Sequence, residues 1–420
     1  MSRFSLNTSR KTKTTPAGEL PVDWGCARFG EIIKEADYGL STPADPDGNV
    51  PILKMNSISN GKLSMGELDR VTCTEEEIER YSIRRGDILF NRTNSLALVG
   101  KTAVVETDAR IVFASYLVRF RLAEFVESRF VGYWFNYSRV ERRLKELATV
   151  GVSQSNINPT RLQHDLHVPI PPLSEQKQIS DVLGTWDEAL EDIEALISAK
   201  ERRKTALMQQ LLTGRRRLVP FGKTEWRKTR MSDVLCRIFR PIEWSSEAPL
   251  SLVSIRRRCG GLFRRPEMQA SDYKTQDLHE VRSGDFLISK RQVVHGAWAL
   301  VTPGFSGCQV SKEYAILVNT APDTLHMPFF GWLAQLPRMI RLARVASTGV
   351  HIEKLIFDPD VFLREHIRIP SSLAEQQAIA AILDTCDEEL RLLRAQRAAV
   401  DQQKRGLMQR LLTGRIRVRA

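Results

Sequence analysis

Residues 171–215 read PPLSEQKQISDVLGTWDEALEDIEALISAKERRKTALMQQLLTGR, and residues 371–415 read SSLAEQQAIAAILDTCDEELRLLRAQRAAVDQQKRGLMQRLLTGR. The stretches align without a gap, and about twenty positions are identical, which marks an internal duplication. In the first copy Ile179, Leu183, Trp186, Leu190, Ile193 and Ile197 recur at alternating spacings of four and three. After Lys200 and Lys204 the seam resumes at Leu207 and Leu211. The second copy repeats it with Ile379, Leu383, Cys386, Leu390 and Leu393, and with Arg397 and Lys404 as its charged interruptions. A 3.5-residue repeat keeps one narrow apolar seam facing a partner helix.

Pro171 and Pro172 block helical continuation from upstream, Ser174 is the expected cap, and Glu175 suits the positive end of the helix dipole. Gly214 and Gly414 suit the left-handed residue that closes a helix. Each copy is therefore expected to be one helix of about 38 residues, roughly 57 Å long. An antiparallel pairing of the two within the chain is the simplest cover for both seams. The alternative is two unrelated helices, each lying on its own domain.

The duplication frames the rest of the 420 residues. The expected fold class is α+β, with two globular domains in tandem and two long helices pairing as an antiparallel coiled coil. The expected boundaries are a disordered basic tail at 1–18, a first globular domain at 19–170, a helix at 171–215, a second globular domain at 216–370 and a second helix at 371–416. Runs such as Pro51 to Leu53, Arg85 to Phe90, Ala103 to Val105 and Tyr116 to Val118 predict strands of a mixed or antiparallel sheet, and Ser128 to Leu147 predicts a helix. Arg282-Ser283-Gly284-Asp285-Phe286-Leu287-Ile288 repeats the pattern of Arg84 to Phe90, so the globular halves share a plan.

A net charge of +12 favours a polyanionic partner. No apolar run approaches the roughly 20 residues needed to span a bilayer, which points to a soluble, cytoplasmic protein without a membrane partner. The six cysteines are scattered with no CxxC pair, so zinc ribbons are not expected. Phosphate loops, dinucleotide fingerprints, HExxH and GxSxG are absent from the sequence, and no catalytic or metal-binding residue is assigned. Asp87 and Asp285, each after a glycine, read as turn residues.

Basic residues beside amides carry the stronger signal. Arg92, Asn94 and Lys101 follow one predicted strand, Ser153, Gln154 and Asn156 form a polar run, and Lys290, Arg291 and Gln292 stand in the matching place of the second half. Arginine suits guanine edges and asparagine or glutamine suits adenine edges in the major groove. Arg256 to Arg258, Arg264 and Arg265 are phosphate candidates.

The run Ile170-Pro171-Pro172-Leu173-Ser174-Glu175-Gln176, the helix ending Leu207-Met208-Gln209-Gln210-Leu211-Leu212-Thr213-Gly214, their second copies, and the segments Gly86 to Lys101 and Gly151 to Ile157 resemble the specificity subunit of type I restriction-modification systems. The resemblance covers nearly the whole chain beyond the tail. In the second half Ser371-Ser372 replaces the proline pair, and Val350 to Glu353 lacks the Gln-Asn loop. The resemblance implies that each globular segment is a target recognition domain reading one half of a split, asymmetric duplex DNA sequence. It implies further that the paired helices set the distance between the halves and dock two modification subunits, which bind S-adenosylmethionine and methylate adenine. Restriction subunits would add ATP-driven translocation and cleavage, and this chain itself would hold no cofactor. Competing expectations are a coiled-coil scaffold that binds nucleic acid without a restriction role, and a DNA-modifying enzyme with an unrecognised site.

Overall fold

The computed structural model describes residues 4–5, 11–151, 154–247, 249–273 and 276–418. By compactness the chain forms two units, one of residues 1–194 with 396–420 and the other of residues 195–395. Both long helices are thereby shared. Each unit takes the first part of one and the last part of the other.

The first unit is built on a four-stranded antiparallel sheet of β1 (Ile33–Tyr38), β2 (Ile88–Asn91), β3 (Thr102–Val104) and β4 (Leu117–Leu122), in the order β3-β2-β4-β1. Strand β2 is apolar on both faces because both are covered. Ile88 and Phe90 enter the main core, whereas Leu89 enters a second one with Phe113 and Leu117. Over the main core lie α1 (Ser128–Phe135) and α2 (Ser138–Leu147). Phe29 fixes their seat, with its ring 5.0 Å from Phe120 and 4.9 Å from Phe135, both edge-on. The helix expected over Ser128 to Leu147 is thus two helices. At the break the Asn136 side-chain amide donates to the Gly132 and Thr102 carbonyls, beside the Asn136 backbone amide's own bond to Gly132. A short helix α3 (Pro159–Asp165) follows, capped by Asn158, and His167–Ile170 returns to pair with Gly25–Arg28.

The expected disordered tail of residues 1–18 is too long. Thr12–Thr15 pairs antiparallel with Gly18–Pro21, its β-branched threonines favouring strand and Gly18 taking φ +116°. Outside the sheet, Val112–Phe113 pairs parallel with Ile52–Leu53, so both strand orientations occur.

Helix α4 covers Leu173–Leu211. The second unit then repeats the sheet with β5 (Leu235–Ile238), β6 (Phe286–Ser289), β7 (Trp298–Leu300) and β8 (Tyr314–Asn319), in the order β7-β6-β8-β5. Its covering helices are α5 (Met327–Ala334) and α6 (Pro337–Val345), followed by α7 (Pro359–Leu363) and the long α8 (Leu373–Leu412).

Asp87 and Asp285 are turn residues, as expected. Gly86 and Gly284 take φ +90° and +91°, and each aspartate accepts from a backbone amide three residues before it, Arg84 or Arg282. Both carboxylates are buried and held by arginine, Asp87 by Arg121 at 3.1 Å and Asp285 by Arg240 at 2.5 and 2.9 Å. Helix α4 begins at Leu173, which puts Ser174 inside its first turn rather than at its cap. In the second copy Ser372 takes that role and accepts from the Glu375 amide at 3.3 Å. Gly214 and Gly414 close the helices at φ +70° and +66°.

Candidate nucleic-acid interface

In the first unit the end of β2 gathers the polar residues. The Arg92 amide donates to the Tyr116 carbonyl at 3.1 Å, and the Arg92 carbonyl accepts from the Ile157 amide at 2.9 Å. That anchorage lays Thr93–Asn94 against Ser155–Asn156, which in turn pairs with Thr149–Val150. Arg92, Asn94, Gln154 and Asn156 therefore meet in one small three-stranded patch, although some sixty positions separate them in sequence. Ser153 lies outside the described residues. Lys101 joins from the neighbouring strand, its carbonyl accepting from the Asn91 amide at 2.8 Å.

The Arg92 guanidinium lies 4.9 Å from the centre of the Tyr38 ring, which is half exposed. Among the described residues its Nε is buried without a hydrogen-bond partner. Stacking fixes the plane of the guanidinium. Asn94 is less free, because its carboxamide oxygen accepts from the Ser95 amide at 2.8 Å. A bidentate contact to adenine would use the second lone pair of that oxygen, with the carboxamide nitrogen as donor.

The second unit builds the same array with other side chains. The Lys290 amide donates to the Glu313 carbonyl and its carbonyl accepts from the Phe357 amide, both at 2.9 Å, as Arg92 does with Tyr116 and Ile157. Ala315 faces Ile288 as Val118 faces Phe90, so Phe239, one residue past Ile238, takes the sheet position of Tyr38. The Phe239 ring is 62% exposed and carries the Arg237 guanidinium 4.4 Å from its centre. Burial, with Arg237 beside it, holds the Lys290 ammonium below the ordinary lysine range.

Its two neighbours behave differently from one another. Arg291 is exposed and paired with Glu313 at 2.5 Å, whereas Gln292 is half-buried at the start of the turn Val293–His295, with its side-chain oxygen buried and, among the described residues, unpartnered. The Arg256 to Arg258 loop is pinned beside that turn, Arg258 donating to the His295 carbonyl at 2.7 Å and Cys259 to the Gly296 carbonyl at 2.9 Å. Arg264 is committed to the fold through Ser251 and the Gly304 carbonyl, both at 2.6 Å.

The seam residues divide between two surroundings. Ile179 and Leu183 are buried in the first unit's core with Met408, Leu411 and Leu412, and Ile379 and Leu383 in the second unit's core with Leu211 and Leu212. Trp186, Leu190 and Leu393 are half-buried, and Leu390 is buried. The charged interruptions are satisfied. Lys404 pairs with Asp187 at 2.6 Å and lies over the Tyr133 ring, and Lys204 pairs with Asp387 and lies over the Trp332 ring. Arg397 meets Glu194, and Lys200 meets Glu389 at 2.7 Å. Within each unit the partner numbers fall along one helix as they rise along the other.

Two further pairs escaped the sequence reading. Glu175 is buried, accepts from the Trp24 indole at 3.1 Å and binds the Arg417 guanidinium, which also grips Asp23 at 2.8 and 3.0 Å. In the second unit Glu375 is buried and binds Arg217 at 2.8 and 2.9 Å and the Trp226 indole at 3.4 Å. The adjacent glutamines complete the arrangement. Gln176 accepts from the Glu127 amide at 2.8 Å, and Gln376 accepts from the His326 amide at 2.9 Å. The signal was in the repeat, since Glu-Gln opens both copies and an arginine stands three residues after each closing glycine.

Among the described residues no group of histidine, cysteine, aspartate and glutamate is arranged to hold a metal ion, and no helix is long and apolar enough to cross a membrane.

The family model described as the type I restriction modification DNA specificity domain matches residues 21–200. A putative type I restriction enzyme specificity subunit of Methanocaldococcus jannaschii is 27% identical over 97% of both chains. Among solved structures, the S subunit of a type I restriction-modification system from M. genitalium matches with a TM-score of 0.58 at 13% identity, over 94% of this chain and 98% of its own. A second chain, from a structure titled for complex assembly and conformational transition of the type I system, matches at 0.56 and 20% identity, over 94% and 99%. At such identities the structural likeness speaks for the fold.

Proposed function

We propose, on the premise that this chain belongs to the type I restriction-modification specificity subunits, that each unit reads one half of a split duplex DNA sequence through the array at Arg92 or at Lys290. The observation that carries the reading is the equivalence of those arrays. One backbone frame presents a basic residue between the same two anchoring bonds, beside an exposed aromatic ring that carries a guanidinium, in both units. A duplicated frame with different side chains suits two readers of different base sequences.

In this proposal the chemistry belongs to partner subunits and the chain performs none. Helices α4 and α8 pair along their length as an antiparallel coiled coil, supported by the ion pairs Asp187 to Lys404 and Lys204 to Asp387. Polar residues in an apolar seam set register at some cost in stability. The outer faces of that pair dock two modification subunits that methylate adenine, and restriction subunits join them in the cytoplasm.

Co-expression with the candidate modification subunit in a methylation-free host, followed by mapping of methylated adenines at single-base resolution, tests the proposal. The expected result is two short defined sequences around a fixed gap. Four residues inserted after Ala199 lengthen the helix by about 6 Å and should widen that gap by roughly two base pairs. An assembled complex that methylates at random, or nowhere, contradicts the reading.

A further inference from the structure

The helix that leads into each reading hairpin keeps its exposed charges in both units, although little else on its surface is shared. Matching the buried residues Val140 and Leu144 of α2 to Met339 and Ala343 of α6 aligns the two helices. The same register sets Arg139 on Arg338, Arg142 on Arg341 and Lys145 on Arg344. All six are exposed, and among the described residues none is in an ion pair, whereas Arg143 is taken up by Glu146 at 3.0 Å. Spacings of three place each trio on one side of its helix.

Between those positions nothing persists. Glu141, Arg143 and Glu146 of α2 stand where α6 has Ile340, Leu342 and Val345. Two copies of a duplicated element drift apart at exposed sites unless something outside the chain uses them. The reading residues do differ, Arg92 against Lys290. A ligand common to both halves, whatever their bases, is the sugar-phosphate backbone, which positions a protein on DNA without specifying sequence.

The trios are also well placed. Helix α2 ends at Leu147 just before Thr149, and α6 ends at Val345 just before Ser347, the first residues of the two hairpins. The Lys101 loop rests on α2 so closely that a Cβ on Gly100 would stand 3.2 Å from the Leu144 Cβ.

We propose that Arg139, Arg142 and Lys145 in the first unit, and Arg338, Arg341 and Arg344 in the second, are phosphate-binding stripes that grip the DNA backbone beside each reading array. This rests on the reading of the chain as a DNA specificity subunit. The second stripe is the stronger. It has no acid on its helix, and residues 216–370 carry 24 basic against 15 acidic side chains, compared with 19 against 21 in residues 19–170.

The test uses the full chain assembled with its modification subunits and a random-sequence duplex, with affinity followed by fluorescence anisotropy across a salt series. Each phosphate left without its cationic partner lowers the slope of log affinity against log salt by about 0.9. The triple variant R338Q/R341Q/R344Q should lower it by roughly 2 to 3 and R139Q/R142Q/K145Q by roughly 1 to 2, with the methylated motif unchanged in both. Should a triple variant fold poorly, R341Q and R142Q alone should each lower the slope by about 0.9. An unchanged slope with weakened subunit assembly would overturn the proposal and assign the stripes to an acidic protein surface, as would a changed motif. A wild-type complex that yields no split motif defeats the specificity reading instead, and the salt slopes still decide the stripes.

Discussion

The two units share a sheet order, a turn, a buried glutamate at the start of a long helix and the two backbone bonds around the reading residue, yet they differ sharply in charge. Residues 19–170 carry a net −2 and residues 216–370 a net +9. The sheet order, the turn, the glutamate and the two backbone bonds stayed the same, while the side chain held between those bonds changed from Arg92 to Lys290. A frame that fixes where a side chain stands leaves free which side chain it is.

The largest effect that sharpens the comparison lies at the buried glutamates. Removing one partner of a buried ion pair costs about 3–5 kcal/mol because the other charge is left uncompensated. Glu375→Ala leaves Arg217, among the described residues, with the Phe221 carbonyl and the Trp226 ring but no acid, whereas Glu175→Ala leaves Arg417 still paired with Asp23. Urea unfolding should therefore show the Glu375 variant in the upper part of that range and the Glu175 variant below it. Equal losses would mean that Asp23 contributes nothing.

A smaller effect is expected at the seam. Lys404 and Asp187 are 15% and 16% exposed, whereas Asp387 opposite Lys204 is 50% exposed. Lys404→Met should cost about 2 kcal/mol, and Lys204→Met below about 1 kcal/mol after solvent screening, by the same unfolding measurement. The reverse order would show that the aromatic contacts with Tyr133 and Trp332, rather than the carboxylates, decide the matter.

The smallest effect is one of pH. Because burial and Arg237 hold Lys290 below the ordinary range, the free protein sheds that proton at a lower pH than an ordinary lysine would. A bound phosphate or guanine restores the charged form, so binding takes up a proton at alkaline pH and weakens as pH rises. Stability runs the opposite way. A lysine with a depressed folded pKa costs stability while it is protonated and relieves that cost as pH rises through its folded value. Lys290→Arg should flatten the alkaline affinity profile, and Arg92→Gln should leave that profile in place.

The frame was legible because duplication and 3.5-residue spacing are local signals that need no knowledge of contacts. Ile179, Leu183, Ile379 and Leu383 carried it. Other features depend on partners far off in sequence. Glu175 reads locally as a dipole-favoured residue, and its actual partner Arg417 lies 242 positions away. Lys204 and Lys404 read as interruptions of an apolar seam, although each meets an aspartate of the opposite repeat. The break at Asn136 left no trace in the apolar pattern, and the side-chain amide there bonds Thr102, 34 positions away. At the candidate interface the grouping of basic and amide residues in the loops was legible. Which members stay free was not, since Arg291 is paired with Glu313 and Gln292 is half-buried by neighbours that no spacing encodes.

The central claim is that Arg92 and Lys290 are equivalent readers, one for each half of the target. Mapping methylated adenines for the Arg92→Gln and Lys290→Gln chains, each co-expressed with the modification subunit, tests it most directly. The account predicts that the first substitution relaxes or shifts base preference in one half of the split motif only, and the second in the other half only. Relaxation of the same half by both substitutions, or of both halves by either one, would contradict it.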